Sequence, residues 1–66
     1  MKLQINGQLQ EFESIKTLEE LLVALNIQRE RVAAMVNETV IRRADHASTF
    51  IKDGDVVEII TMVGGG

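Results

Sequence analysis

The chain has 66 residues and a formal net charge of −3, with seven Lys and Arg against ten Asp and Glu. A domain of this length buries only about 60% of the surface that its unfolded chain exposes, which leaves little room for both a core and an elaborate pocket. This size disfavours a self-sufficient enzyme and favours a carrier or binding module. The sequence has no basic stripe that would support nucleic-acid binding, and without cysteine it has no disulfide, thiolate nucleophile or cysteine metal ligand.

The amino-terminal stretch does not resemble a targeting or membrane segment. The sequence MKLQINGQLQ alternates polar and apolar residues and lacks the continuous apolar run of a signal peptide. No stretch approaches the roughly 20 apolar residues of a membrane span. We therefore expect one soluble, cytoplasmic domain over residues 1–66 that contacts neither membrane nor nucleic acid and is monomeric when free.

The first elements predicted are two strands joined by a tight turn. Leu3 and Ile5 alternate with polar residues, which is the period of a half-buried strand. The Asn-Gly pair at 6–7 is a strong hairpin signal because both residues tolerate positive φ. A second strand is expected from Leu9 to Glu13, with Phe12 as its core residue.

A helix follows the hairpin. The sequence TLEE at 17–20 is a capping box, in which the Thr17 hydroxyl accepts from the amide three residues on and Glu20 reaches back. Asn26 is suited to the left-handed residue that ends a helix. Four leucines recur between these ends at helical spacing and should face the core: Leu18, Leu21, Leu22 and Leu25.

The sequence RVAAMVN at 31–37 returns to strand character and places Met35 on the face opposite Val32, Ala34 and Val36. A turn at 37–38 should lead into a short strand, Thr39–Ile41. The face turned toward the helix is expected to carry Val32, Ala34 and Val36.

The last third of the chain contains a segment without clean periodicity and one long strand. RRADHAST at 42–49 is predicted to be a loop that can include one helical turn, and KDGD at 52–55 is a turn signal. The final strand, Val56–Val63, is apolar on both sides, which favours a central place in the sheet beside the first strand. The predicted fold is α+β: a mixed sheet of four to five strands with one main helix across it, a β-grasp arrangement.

Six segments carry a resemblance to a known family: INGQ (5–8), TLEELL (17–22), VN (36–37), KDGD (52–55), VEII (57–60) and VGGG (63–66). They span the chain from end to end in the family's order and spacing. The sequence resembles the ThiS family, the ubiquitin-like sulfur carriers of thiamine (thiazole) biosynthesis. It departs from many relatives at Glu38, where they have glycine.

The resemblance implies a modified carboxyl terminus. A free α-carboxylate has a pKa of about 3.5, so at neutral pH it is an anion and a poor electrophile. In the family it is adenylated with ATP on a separate activating enzyme, and a persulfide sulfur donor then displaces AMP. The implied site here is the Gly66 carboxylate, which becomes a thiocarboxylate that supplies thiazole synthase, while Gly64 and Gly65 form a narrow arm. The protein itself then binds no cofactor and is not an enzyme.

A docking surface is expected on the sheet face away from the helix. Val57 and Ile59 should point at the helix and Val56, Glu58, Ile60 and Met62 away from it. Apolar residues on an open sheet face are a candidate docking patch, although partial burial beneath loops is an alternative. Arg42 and Arg43 are candidate partners for acidic groups of the activating enzyme, or else simply solvated. The predicted docking residues are Met35, Ile60, Met62, Val63, Arg42 and Arg43.

Other interpretations of the same residues remain open. The glycines at 64–66 are also compatible with an inert, frayed end or a cloning remnant. A sulfur carrier for molybdopterin synthesis and a protein modifier joined to lysines through Gly66 share the tail chemistry. His46 stands alone and is not predicted to bind metal or catalyse, and Asp53 and Asp55 are interpreted as turn residues.

Overall fold

The computed structural model describes residues 1–61, apart from the side chain of Arg29. These residues form five strands, one α-helix and two short 3-10 helices. The strands and the helix are β1 (Lys2–Ile5), β2 (Gln8–Glu11), α1 (Leu18–Ala24), β3 (Val32–Val36), β4 (Thr39–Ile41) and β5 (Val56–Thr61). The 3-10 helices are Arg29–Arg31 and Arg43–Ser48.

The strands form one mixed sheet in the order β2-β1-β5-β3-β4. β5 lies at the centre, parallel to β1 and antiparallel to β3, while the outer pairs are antiparallel hairpins. The prediction that the last strand lies beside the first is confirmed. One helix packed on a mixed sheet with this strand order is the ubiquitin-like β-grasp fold.

Both hairpins turn through residues with positive φ, the pattern of the type I′ turn that suits the twist of paired strands. Asn6 and Gly7 have φ of 49° and 84°, and Asn37 and Glu38 have φ of 50° and 71°. Asparagine and glycine adopt this conformation readily, whereas Glu38 does so with steric strain between its Cβ and the backbone. The second turn therefore keeps the type I′ shape without a glycine.

The helix begins and ends at the predicted signals. Thr17 is the N-cap, and its Oγ1 accepts from the Glu20 amide at 3.2 Å. The Glu20 carboxylate reaches back as predicted, and it accepts from the amide of Lys16, one residue before the cap, at 2.8 Å. Asn26 has φ of 61°, which confirms the predicted left-handed residue just beyond the helix.

The core lies between α1 and one face of the sheet. Leu25 and Phe12 are half-buried at its margin. The prediction for β2 was partly wrong: the strand ends at Glu11, carries no buried residue, and leaves Phe12 after its end. The buried apolar side chains are Leu3, Ile5, Leu18, Leu21, Leu22, Val32, Ala34, Val36, Ile51, Val57 and Ile59.

The segment predicted as a loop with room for one helical turn contains a 3-10 helix, Arg43–Ser48, so the prediction was partly right and underestimated the helical part. After it, Thr49–Ile51 runs antiparallel to residues 16–18, with the Leu18 amide donating to the Thr49 carbonyl at 2.9 Å and the Ile51 amide to the Lys16 carbonyl at 2.9 Å. This pairing places His46 in the interior, where it is only 1% exposed. A single bridge between Thr17 and Phe50, which are 33 positions apart, leaves no local periodicity, and the sequence pattern therefore did not reveal it.

Candidate functional site

The two faces of β5 have opposite environments. Val57 and Ile59 are 0% and 8% exposed and belong to the core beneath α1. Val56 and Ile60 are 39% and 55% exposed and lie on the opposite, open face of the sheet. The predicted orientation of the strand is thus confirmed, and burial beneath loops does not apply to Ile60.

The open face of the sheet carries a band of apolar side chains. Strand register sets Ile60 opposite Ala33, and Met35 opposite both Glu58 and Val40. Residues directly opposite each other on neighbouring strands share a face of the sheet. We call the group of Ala33, Met35, Val40, Val56 and Ile60 the open-face patch.

Val40 is a member of this patch that sequence reasoning missed. It is well exposed and lies on the short strand β4, whose existence was predicted without its register. Val40 could have been predicted by pairing Met35 with the residue two beyond the Asn-Glu turn, because a two-residue loop fixes hairpin register. Leu9 is also exposed on this side, in one row with Gln4 and Val56.

One carboxylate interrupts the apolar surface. Glu58 is exposed on β5 between Val56 and Ile60 and lies opposite Met35. A partner that covers this surface must leave Glu58 in water or supply a cation or hydrogen-bond donor to it, because an unpaired buried charge is costly. The open-face patch therefore favours a partner with an apolar surface and a basic or polar group near its middle.

The predicted arginines lie next to the patch. A hollow of about 360 Å³ is lined by Ala33 and Val40 of the patch together with Arg42 and Arg43. The Arg42 guanidinium is 3.6 Å from the Asp45 carboxylate, in a pair whose two members are both solvent-exposed. Such a pair is weak and leaves the arginine available to another carboxylate. The structure thus brings Arg42, Arg43, Met35 and Ile60 onto one continuous region of the surface.

Side chains from two sequence motifs, VN (36–37) and KDGD (52–55), hold the beginning of β5 in place. The Asp55 carboxylate is buried and accepts from the Lys52 amide at 2.8 Å and from Asn37 Nδ2 at 3.0 Å. Asn37 Oδ1 accepts from the Val56 amide at 2.9 Å. The Asp53 carboxylate accepts from the Lys2 amide at 2.6 Å. Both aspartates are thus turn residues bonded to the backbone, as predicted.

The last described residue of β5 lies close to the arginine hollow. Thr61, the last residue of the strand, lies opposite Val32 at the start of β3. Val32 also lines the hollow beside Arg42 and Arg43. The predicted docking residues Met62 and Val63 and the tail residues Gly64, Gly65 and Gly66 lie outside the described residues.

Within residues 1–61, no three His, Asp or Glu side chains come together as a metal site, and His46 Nδ1 has no hydrogen-bond partner there. The same part of the chain contains no helix with the length and hydropathy of a membrane span. The exposed apolar residues of the open-face patch and the two arginines are the features of the described surface that could bear on function.

Comparison with known proteins identifies the family. Residues 3–66 match the model of the ThiS family. The crystal structure of the thiamine biosynthesis protein ThiS from Geobacter metallireducens superimposes with a TM-score of 0.85 at 36% identity, covering 100% of both chains. The Sulfur carrier protein ThiS of Thermus thermophilus is 32% identical over 62 residues, which cover 94% of this chain and 95% of that one.

A second kind of relative is much longer. The thiazole synthase of Paramagnetospirillum magneticum is 36% identical over 66 residues, which are 100% of this chain and 20% of that protein. The chain thus spans about a fifth of the length of this relative. Because the family match covers nearly the whole chain and the relatives of similar length agree with it, the chain belongs to the ThiS family.

Proposed function

We propose that this protein is the sulfur carrier of thiazole formation in thiamine biosynthesis, with the Gly66 carboxylate as the group that carries sulfur. The observation that supports this most strongly is the family match over residues 3–66, which includes the VGGG segment as well as the folded part. The similarity to a T. thermophilus protein named as a sulfur carrier supports the same function.

The chemistry requires activation of an unreactive carboxylate. A Gly66 carboxylate oxygen attacks the α-phosphorus of ATP on a separate activating enzyme, pyrophosphate leaves, and an acyl-adenylate forms. A persulfide sulfur then attacks the acyl carbon and AMP leaves. The product is an acyl disulfide, and a second thiol cleaves its sulfur–sulfur bond, forming a disulfide with the donor's sulfur and leaving a thiocarboxylate on Gly66. This chain contributes the reacting terminus and the surfaces that deliver it, and the catalysts are its partners.

The proposed partners dock on the open-face patch. An activating enzyme and a thiazole synthase each need to hold the folded body while the tail enters an active site. Met35 and Ile60 offer apolar contact area, and Arg42 and Arg43 beside them offer charge. Similarity to a fifth of the P. magneticum thiazole synthase supports a thiazole synthase as the acceptor. Met62 and Val63 extend the proposed docking surface toward the glycines.

The direct test is the mass of the intact protein after incubation with an activating enzyme, ATP and a persulfide donor. We expect a gain equal to the exchange of one oxygen for sulfur, located at Gly66 by fragmentation. A conjugate to a lysine would instead identify a protein modifier, and an adduct on an internal side chain would overturn the carrier proposal.

A variant that lacks Gly65 and Gly66 is the matched control. We expect it to be neither adenylated nor thiolated, with Tm close to that of the full chain because glycine has no side chain to add to the core. Full activity of the shortened protein would contradict the assignment of the reacting group to Gly66.

A further inference from the structure

The final strand is supported unequally on its two sides. β3 pairs with β5 along its whole described length, as far as Thr61. β1 pairs with it only at Val56 and Val57, because β1 ends at Ile5 and the chain turns away. The second half of β5, from which the tail departs, therefore has no strand neighbour on the β1 side among the described residues.

The side chain of Asn6 lies beside the second half of β5, on the side where β1 has ended. Its Oδ1 accepts from the Ile59 amide at 2.7 Å, and its Nδ2 donates to the Ile59 carbonyl at 3.2 Å. One side-chain amide thus satisfies both backbone groups of one strand residue, as a neighbouring strand would. Within residues 1–61, no hydrogen bond on this side of β5 lies nearer to the tail.

This pairing depends on the residue type at position 6. Asparagine adopts the turn's φ of 49° readily and carries one acceptor and two donor hydrogens on a short side chain. Aspartate retains only acceptors at neutral pH, and glycine keeps the turn but makes neither bond.

Asn37 provides a matched comparison elsewhere in the molecule. It lies in the other hairpin turn, with φ of 50°, and its side chain also bonds to β5. Its contact is with the Val56 amide at the beginning of the strand, whereas Asn6 contacts Ile59, three residues farther toward the tail. Both asparagine side chains thus accept from a backbone amide of β5, Asn37 at its first residue and Asn6 in its second half.

We propose that Asn6 is a positioning residue for sulfur transfer, which fixes the last part of β5 and with it the direction in which the tail leaves the domain. This inference rests on the proposed function, in which Gly66 must reach a partner's active site from a docked domain. Without the Asn6 bonds, the end of the strand is held only by β3, and the motion this allows has to be lost when the domain docks. Asn37 has no such role, because its end of β5 is far from the tail.

The test compares Asn6→Gly with Asn37→Gly, since glycine keeps the positive φ of each turn and removes only the side chain. Thiolation by the activating enzyme is measured at a temperature where both variants are folded by circular dichroism. We expect kcat/KM of Asn6→Gly to fall about ten-fold, mainly through a higher KM. Ordering about one more residue on docking costs a free energy of that size. For Asn37→Gly we expect a change of less than about two-fold by the same reasoning. Equal losses in the two variants would overturn the proposal.

Amide hydrogen exchange tests the same inference without any partner. We expect exchange at Ile59 to accelerate about ten-fold or more in Asn6→Gly, and that at Val56 to accelerate instead in Asn37→Gly. Unchanged protection of Ile59 in Asn6→Gly would overturn the positioning role. If the wild-type chain is not thiolated at all, the proposed function fails whatever the exchange data show.

Asn6→Asp keeps the test decisive if Asn6→Gly does not fold. Its carboxylate retains the acceptor for the Ile59 amide and loses the donor to the Ile59 carbonyl. We expect the KM of Asn6→Asp to lie between that of the wild type and that of Asn6→Gly. If only Asn6→Asp folds, we expect its KM to be clearly higher than that of the wild type. A KM equal to that of the wild type, with the protein folded, would count against the proposal.

Discussion

The two faces of β5 contain nearly the same residues and differ in what covers them. The strand reads Val56-Val57-Glu58-Ile59-Ile60, so a valine pair and an isoleucine pair each place one member on either face. Val57 and Ile59 are buried under α1, and Val56 and Ile60 face solvent. The two members of each pair have the same side-chain chemistry, so burial is what distinguishes their roles.

The comparison shows how a very small domain separates stability from recognition. The helix-side face uses its apolar residues to form the core, which gains free energy roughly in proportion to the area buried. The open face has apolar residues that the described part of the chain leaves exposed. A partner that covers them gains free energy of binding. Residues that differ by one position along β5 should therefore give opposite mutant phenotypes.

The largest expected effect is on the helix-side face. Ile59→Ala removes buried methyl and methylene groups and leaves a cavity, which should lower the free energy of unfolding by about 2–5 kcal/mol. Ile60→Ala, the matched control, should change it by less than about 1 kcal/mol because the side chain is largely exposed. Urea denaturation followed by circular dichroism measures both. A larger loss for Ile60→Ala than for Ile59→Ala would mean that the two faces are assigned the wrong way round.

A smaller effect, on binding, is expected on the open face. Ile60→Glu places a second carboxylate two positions from Glu58 and removes the apolar contact, so affinity for the activating enzyme should fall about ten-fold or more. The domain should remain folded with a Tm near that of the wild type. Isothermal titration calorimetry gives the affinity. Normal binding by the folded variant would remove Ile60 from the docking surface and leave recognition to the tail and the arginines.

The smallest effect is expected at the edge of the patch. Arg42→Gln and Arg43→Gln should each weaken binding by about two- to five-fold, since exposed ion pairs contribute at most about 1 kcal/mol. The loss should shrink in high salt, because salt screens exposed charges. Lys16→Gln is the control, an exposed cation at the amino-terminal end of the helix. If Lys16→Gln weakens binding as much as the arginine variants do, a nonspecific effect of net charge explains the loss.

Much of the fold could be predicted from local patterns. The alternation of Leu3 and Ile5, the Asn-Gly turn and the Thr17 cap each depend on residues within a few positions of one another. The central place of the last strand followed from its apolar character on both sides. These features were predictable because period, capping and turn chemistry act within single elements.

The features missed depend on contacts between distant segments. His46 is buried because residues 49–51 pair with residues 16–18, which no short window of sequence reveals. Phe12 lies one residue beyond β2, where it exchanges backbone hydrogen bonds with Met1 and packs at the margin of the core. The open-face patch was predicted in part, through Met35 and Ile60, and its member Val40 appeared only once strand register was known.

The measurement that tests the central claim most directly follows the carried sulfur to its product. The carrier is first charged with isotopically labelled sulfur at Gly66 and purified away from the activating enzyme. It is then incubated with a thiazole synthase and the synthase's other substrates, and mass spectrometry locates the label. The account predicts labelled sulfur in the thiazole ring and a carrier returned to its carboxylate mass. Label that stays on the carrier, or that passes to a molybdopterin acceptor and not to the thiazole, would contradict it.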